Sequence, residues 1–254
     1  MVPSHLPEEH RAYFMTQKDG ELRQRGLIVA DSAKLVLRLL KASIPTVRIV
    51  CPETFFLEHE DLIRASGSPV SFLSESDVRQ MTGHSIHKGV MAIAERPKDA
   101  ALETLPDRIL ILNGVNNAEN IGAVVRNALA FQFSGIIVDG ESCSPWVRRA
   151  LRVAMGSTFK LKIHHCQDIV EVLRDVQELD YKIACSEISS ESTPIHQIEA
   201  EKRIALVLGS EGHGVSKAVG LQSQIRCFIP MSSDIDSLNV AVASGIMMHH
   251  FAAR

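Results

Sequence analysis

Short aliphatic and β-branched runs alternate with amphipathic stretches along this chain, and the alternation predicts an α/β protein. A helical arm around Pro7 to Lys18 leads in. Gly26 to Ala30 reads as a strand. A helix capped by Asp31 follows through Leu40, with Leu35, Val36, Leu39 and Leu40 on one face. Strands at Val47 to Val50, Pro69 to Leu73 and Gly89 to Ala94 then alternate with helices at Pro52 to Ala65 and Asp77 to Met81. Residues 1–97 thus form a small α/β module. The stretch 98–106 has no strand pattern and is fenced by Pro97 and Pro106, as a linker would be. From 107 to 254 the alternation resumes. The run Ile109 to Leu112 is continuously apolar, as in a strand buried on both faces of a parallel sheet. Further strands are predicted at Gly135 to Val138, Leu161 to His164, Lys182 to Cys185, Ile204 to Leu208 and Ile225 to Ile229. Helices are predicted at Ile121 to Phe131, Trp146 to Met155, Ile169 to Leu179 and Leu238 to the end. Strict alternation of this kind argues for a doubly wound parallel sheet, with ligands beyond the carboxyl ends of its strands.

Composition narrows the class without choosing a function. A 254-residue chain that is 45% hydrophobic can fill real cores. No apolar run approaches the roughly 18 residues that span a bilayer, and no export segment leads the chain, so a cytoplasmic protein is expected. The net charge of −3 gives no global attraction to polyanions, so any RNA binding must be local. The five cysteines form no C-x-x-C pair and read as reduced core thiols. No metal site is expected. His164-His165 and His249-His250 are adjacent pairs, unsuited to ligation from one face.

Three loops carry the chemistry. The first runs from Asn113 to Asn127, between a buried strand and a helix, with an amide-rich turn and Arg126 about two turns into the helix. Helix-start N–H donors beside a guanidinium suit a phosphate. Amides that merely cap the helix and a solvated Arg126 explain the same residues. The second is Gly209-Ser210-Glu211-Gly212-His213-Gly214-Val215, after the strand Ile204 to Leu208. Its glycines allow close backbone approach, at spacings that fit neither the dinucleotide fingerprint nor a nucleotide phosphate loop. The third runs from Ile229-Pro230-Met231 through Ser237-Leu238-Asn239-Val240-Ala241. Here Ser237 or Asp236 can cap a helix whose Ala241, Ala243, Ser244 and Gly245 permit close packing.

Together and in this order, the three segments resemble the three motifs of the SpoU/TrmH family of RNA 2′-O-ribose methyltransferases, of the SPOUT class. The matching residues are Asn120-Ile121-Gly122 with Arg126, Gly209 to Gly214, and Ile229-Pro230-Met231 with Ser237 to Ala241. The likeness covers about residues 107 to 254. Residues 20 to 96, including His87-Lys88-Gly89-Val90, more weakly resemble the ribosomal-protein-like α/β domain that precedes the catalytic domain in several members and helps to hold RNA. The resemblance implies a C-terminal trefoil knot, a rare departure from unknotted chains. It also implies S-adenosylmethionine as cofactor and a homodimer that completes the site. Carried over, Leu208, Gly209, Glu211, Gly212, Ile229, Met231 and Leu238 surround the cofactor, and Asn120, Arg126, Glu211, Ser237 and Asn239 face the reacting ribose. The leading domain favours ribosomal RNA over transfer RNA as partner.

Arg148 and Arg152 share a helix face with Arg149 beside them, which suggests RNA phosphate contacts; a solvated face is the plainer reading. The chain departs from the family pattern at Asn113, where an acid is common, at Asn117-Ala118, and at Ala154. A non-catalytic RNA-binding or assembly factor on the same fold is the alternative, against which intact Arg126, Glu211 and Asn239 argue. A nicotinamide oxidoreductase is disfavoured by the glycine spacing, and a serine hydrolase by the lack of G-x-S-x-G.

Overall fold

The computed structural model describes residues 5–16, 19–199, 201–210, 212–235 and 237–252. Two compact units emerge: residues 1–98 together with 146–159, and residues 99–145 together with 160–254.

The first unit holds strands β1 (Leu27–Ala30), β2 (Thr46–Cys51), β3 (Val70–Phe72) and β4 (Met91–Glu95), in the sheet order β1-β4-β2-β3. Strand β4 runs antiparallel to both neighbours, while β2 and β3 are parallel. Its helices are α1 (Glu8–Met15), α2 (Asp19–Gln24), α3 (Ala33–Lys41), α4 (Glu53–Glu58), α5 (Glu60–Ala65) and α6 (Glu75–Thr82). The predicted arm from Pro7 to Lys18 is therefore shorter, and Lys18 lies outside the described residues. The single helix predicted from Pro52 to Ala65 is two, because His59 leaves helical geometry (φ −128°, ψ 27°) and sets its ring edge-on to Phe55. Ser32, not Asp31, caps α3, by accepting from the Leu35 N–H.

A later segment, from within the predicted domain 107–254, completes this compact unit. Past α7 (Ala118–Ala130) of the second unit, Trp146–Phe159 joins the first, carrying α8 (Arg148–Val153). Arg148 Nε donates to Asp31 Oδ2 at 2.7 Å and Nη1 to the Phe14 carbonyl at 2.9 Å. Arg152 also donates to Asp31, whose side chain is wholly buried. Asp31, read from sequence as a helix cap, is instead the counter-ion for two arginines.

In the second unit the described residues form a parallel seven-stranded sheet. Its strands are β5 (Arg108–Asn113), β6 (Gly135–Val138), β7 (Lys162–His165), β8 (Lys182–Ser186), β9 (Thr193–Pro194), β10 (Ile204–Gly209) and β11 (Ile225–Phe228), ordered β7-β6-β5-β10-β8-β11-β9. With α7 go α9 (Ile169–Glu178), α10 (Lys217–Gln222) and α11 (Val240–Ala252). Pattern alone missed β9 and α10, which are short and carry little periodicity. Residues Ile109 to Leu112 and Ile204 to Val207 are fully buried, as their unbroken apolar runs require of central strands. The direction of winding reverses between β5 and β10, where Gly209 pairs with Asn113. Carboxyl-end loops part at such a point and leave a crevice. The stretch 98–106 is no free linker: the Ala100 N–H bonds the Ile163 carbonyl at 2.8 Å, and Leu105 is buried in this unit's core.

Among the described residues no helix is long and apolar enough to cross a membrane, and no His, Cys, Asp or Glu group could hold a metal ion. All five cysteines are free thiols. Burial pushes Cys51 and Cys227 up to about 12 and Cys166 to about 11, so these three stay protonated and unreactive at neutral pH.

Candidate active site

Strands β10, β8 and β11 lie side by side, and their carboxyl ends open onto a cavity of about 340 Å³. Leu208 and Gly209 line it from β10, Ile229 and Met231 from the segment after β11, and Ser237 and Leu238 from the approach to α11. Gly209 is dictated by sterics. A Cβ there would lie 2.0 Å from the Gly214 carbonyl carbon and 2.2 Å from Val215 N, since the chain doubles back at once. Ser210 and Gly214 close that hairpin through two backbone hydrogen bonds, of 3.1 and 2.9 Å, and Gly214 takes φ +67°. Gly212 does not line this cavity. It lines a neighbouring one of about 420 Å³, with Asn113, Gly114, Asn116, Glu141 and His213. Glu211 and Asp236 lie outside the described residues.

Several lining residues went unforeseen. Ser186, Glu187 and Ile188 contribute from the end of β8, and Phe228 from the end of β11. They follow ordinary-looking strands, and their relevance appears only once β8 is seen to lie between β10 and β11. His213 lines both cavities.

The first loop is held open by side chains. Asn113, buried at the end of β5, donates from Nδ2 to Asp139 Oδ2 at 2.8 Å and accepts from the Ser216 N–H at 2.7 Å. It thereby ties together the loops after β5, β6 and β10. The departure at Asn113 has a physical reason: Asp139 already supplies the acid, and a second buried carboxylate beside it would be repelled. Asn117 caps α7, accepting from Glu119 N at 2.8 Å and Asn120 N at 3.2 Å, so the plainer reading of this amide as a cap holds.

Asn120 and Asn239, 119 positions apart in sequence, meet: Asn239 Nδ2 donates to Asn120 Oδ1 at 3.1 Å. Asn239 Oδ1 accepts from the Ala241 N–H at 2.9 Å. Asn239 therefore caps α11, later than the predicted Ser237; Asp236, the other predicted cap, lies outside the described residues. Two turns further along α7, Asn127 Nδ2 donates to the Ala241 carbonyl at 2.8 Å and to Ser244 Oγ at 3.0 Å. The small residues of α11 do allow this approach; a Cβ at Gly245 would lie 3.3 Å from Asn127 Nδ2. Arg126 is on a different face of α7. It is exposed, outside the walls of both cavities, and makes no hydrogen bond or ion pair with the described residues.

The arginine cluster belongs to the first unit and is only partly open. Arg148 is buried and bonds Asp31 and backbone carbonyls, and it lines the same cavity as its two neighbouring arginines. Arg149 is exposed and Arg152 half-exposed, and both line a cavity of about 410 Å³ with Asp19, Thr82, Gly83 and His84. The hydrogen bond with Asp31 raises Arg152 above its ordinary value, so its charge is secure at any working pH.

Residues 107–249 match the SpoU rRNA Methylase family. An uncharacterised tRNA/rRNA methyltransferase of Mycobacterium bovis is 27% identical over 231 residues, covering 89% of this chain and 80% of that protein. The AdoMet-bound rRNA methyltransferase from Sinorhizobium meliloti superposes with a TM-score of 0.83 at 22% identity, covering 98% of this chain and 95% of that one. An RNA 2′-O ribose methyltransferase structure superposes with a TM-score of 0.78 at 21% identity, covering 98% and 96%.

Proposed function

This chain belongs to the SpoU rRNA methylase family, and from that premise we propose that it transfers a methyl group from S-adenosylmethionine to a ribose 2′-hydroxyl of RNA, ribosomal RNA ahead of transfer RNA. The observation that carries the reading is the convergence of distant segments at one sheet edge. Leu208-Gly209, Ile229, Met231 and Ser237-Leu238 line one cavity, and Asn239 bonds Asn120 beside the last of them.

The cavity fits the cofactor. Its volume, about 340 Å³, falls in the range of roughly 300–1,000 Å³ of small-molecule sites. Leu208, Ile229, Met231 and Leu238 offer apolar walls for a base, and Ser186, Glu187 and Ser210 offer polar groups for its other end. The relative from Sinorhizobium meliloti holds AdoMet, which supports the same cofactor for this chain. When bound, S-adenosylmethionine supplies an electrophilic methyl group on a sulfonium, already a good leaving group. The chain's own task is then alignment.

Arg126 clamps the RNA phosphate next to the reacting ribose. Its exposed, unengaged guanidinium supports this, and a bidentate fork suits a phosphate. Asn239 acts through position: both ends of its amide are engaged, one in holding Asn120 and one in starting α11. Ser237 and Asn120 bond the ribose, Asn120 while also accepting from Asn239, and Glu211 and Gly212, from the loop after β10, complete the cofactor and ribose site. In the first unit, Arg149 and Arg152 hold more distant phosphates, in the manner of a ribosomal-protein-like RNA-binding domain.

The same reading includes a trefoil knot among the C-terminal segments and a homodimer in the cytosol. Exposed Val242 and Ile246, one turn apart on α11, support a partner on that face. The decisive test is methyl transfer by Arg126→Lys. A fall of about 100-fold or more, on the scale of losing a well-placed stabilising group, is expected. Near-normal turnover would show that no bidentate guanidinium is needed.

A further inference from the structure

In the first unit one buried carboxylate meets two guanidinium groups. Asp31 accepts from both Arg148 and Arg152, and its single negative charge cannot balance them both. Arg149 adds a third positive charge beside them. Asp19 is the other acid of the cluster, and its Oδ1 is already engaged, accepting from the Arg148 backbone N–H at 3.1 Å. Three arginines against two aspartates leave one positive charge over. Charge held in a partly buried place without a counter-ion is costly, so the surplus favours an anion.

The surplus borders a cavity. Every residue that lines the 410 Å³ cavity belongs to this unit, and the three arginines share its wall with Asp19 and the turn Thr82-Gly83-His84. Gly83, at φ +76°, ends α6, and His84 Nδ1 bonds the Thr82 carbonyl at 2.9 Å, so the turn is fixed. Arg148 points to an anion more directly. Its side chain is only 9% exposed, with Nε given to Asp31 and Nη1 to the Phe14 and Thr16 carbonyls. Its Nη2 is buried and has no hydrogen-bond partner among the described residues. A buried donor left unpaired costs stability unless a ligand meets it. Because Nε and Nη1 anchor the rigid guanidinium, its remaining nitrogen is held ready for an oxygen entering the cavity that Arg148 lines.

We propose that this cavity seats one internal phosphodiester of the RNA, with Arg148 Nη2, Arg149 and Arg152 converging on its oxygens. The seat rests on the RNA methyltransferase reading above and narrows it: the arginines share one phosphate instead of each meeting its own. A phosphodiester carries one negative charge, which matches the surplus. A phosphate at a chain end carries about 1.5 to 2 near neutrality and would exceed it.

The test is filter binding of the full chain to ribosomal RNA from cells lacking it, over a salt series. Each phosphate contact contributes about 0.7 to 0.9 to the slope of log affinity against log salt. Arg149→Gln and Arg152→Gln should each weaken binding by about tenfold and lower the slope by about one contact. The double variant should lower the slope no further. A second equal step in the double variant means one phosphate per arginine and overturns the seat, as does a slope unchanged in all three variants. Should Arg152→Gln fail to fold, Arg152→Lys, which keeps a cation for Asp31, takes its place. Its loss of affinity should then fail to add to that of Arg149→Gln, and additive losses overturn the proposal. Phosphatase removal of the RNA's terminal phosphates should leave affinity unchanged; lost binding would assign the cavity to a chain end instead. Wild-type protein that retains no RNA refutes the RNA reading and the seat together. Wild-type protein that retains RNA while its variants lose one phosphate per arginine refutes the seat alone.

Discussion

Gly209 and Asn113 pair across β10 and β5, and each is irreplaceable for a different reason. At Gly209 the constraint is space: a Cβ 2.0 Å from the Gly214 carbonyl carbon cannot be accommodated without moving the hairpin that walls both cavities. Gly209→Ala should cost about 1–3 kcal/mol of stability, the range for overpacking. It should also weaken S-adenosylmethionine binding by about tenfold or more, equivalent to roughly 1.4 kcal/mol; calorimetric titration checks this. At Asn113 the constraint is charge. Asn113→Asp loses the donor to Asp139 and sets a second buried carboxylate against it. A loss of about 2–3 kcal/mol at pH 7 is expected, since an unsatisfied buried polar group costs about 1–3 kcal/mol and a charged one more. The sign follows from repulsion, which raises carboxyl pKa in the folded state. Folding then binds protons, so the deficit should shrink as pH falls, and urea midpoints at neutral and mildly acid pH will show whether it does.

At the scale of elements, α7 and α11 are held by their amides. Asn117 caps one helix, Asn239 caps the other and reaches across to Asn120, and Asn127, two turns further along α7, bonds the Ala241 carbonyl and Ser244. The loss of a cap costs about 1 kcal/mol. Asn239→Ala should lower stability by about 1–2 kcal/mol and slow methyl transfer more than that loss explains, because the start of α11 would no longer be registered against α7. A variant with the expected stability loss but undiminished turnover would leave Asn239 as a cap alone. The α7 and α11 boundaries are partly legible, α7 from its apolar periodicity and α11 from its run of small apolar residues, but nothing in the local sequence chooses Asn239 over Ser237 as the cap. That choice depends on which amide finds a partner on α7.

For the whole molecule, the first unit is discontinuous. Trp146–Phe159 lies far from residues 1–98 in sequence, yet it brings Arg148 and Arg152 to Asp31. Removing one member of a buried ion pair costs about 3–5 kcal/mol. A fragment beginning at residue 107 would strand Arg148 without its counter-ion and expose Trp146 and Leu151, both buried in the intact chain. Such a fragment should aggregate or melt well below the full chain in a thermal scan. An equally stable, monodisperse fragment would show that the second unit does not depend on the first.

What the sequence determined unaided was local: unbroken apolar runs for the central strands, amphipathic helices, Gly209 at a strand end, and three loops in the order and spacing of a methyltransferase. Hydrophobic periodicity and glycine placement act over a few residues and are written where they act. Tertiary structure alone decided which strand ends are neighbours, and so admitted Glu187 and His213 to the cavities. It also turned Arg148 inward to Asp31, and made Asn239 the residue that joins two helices. The strand neighbours are paired across tens of positions, as Ile204 with Lys182 and Ile225 with Ala184, and the last two outcomes rest on hydrogen bonds between groups more than a hundred positions apart, so no short window of sequence contains both partners.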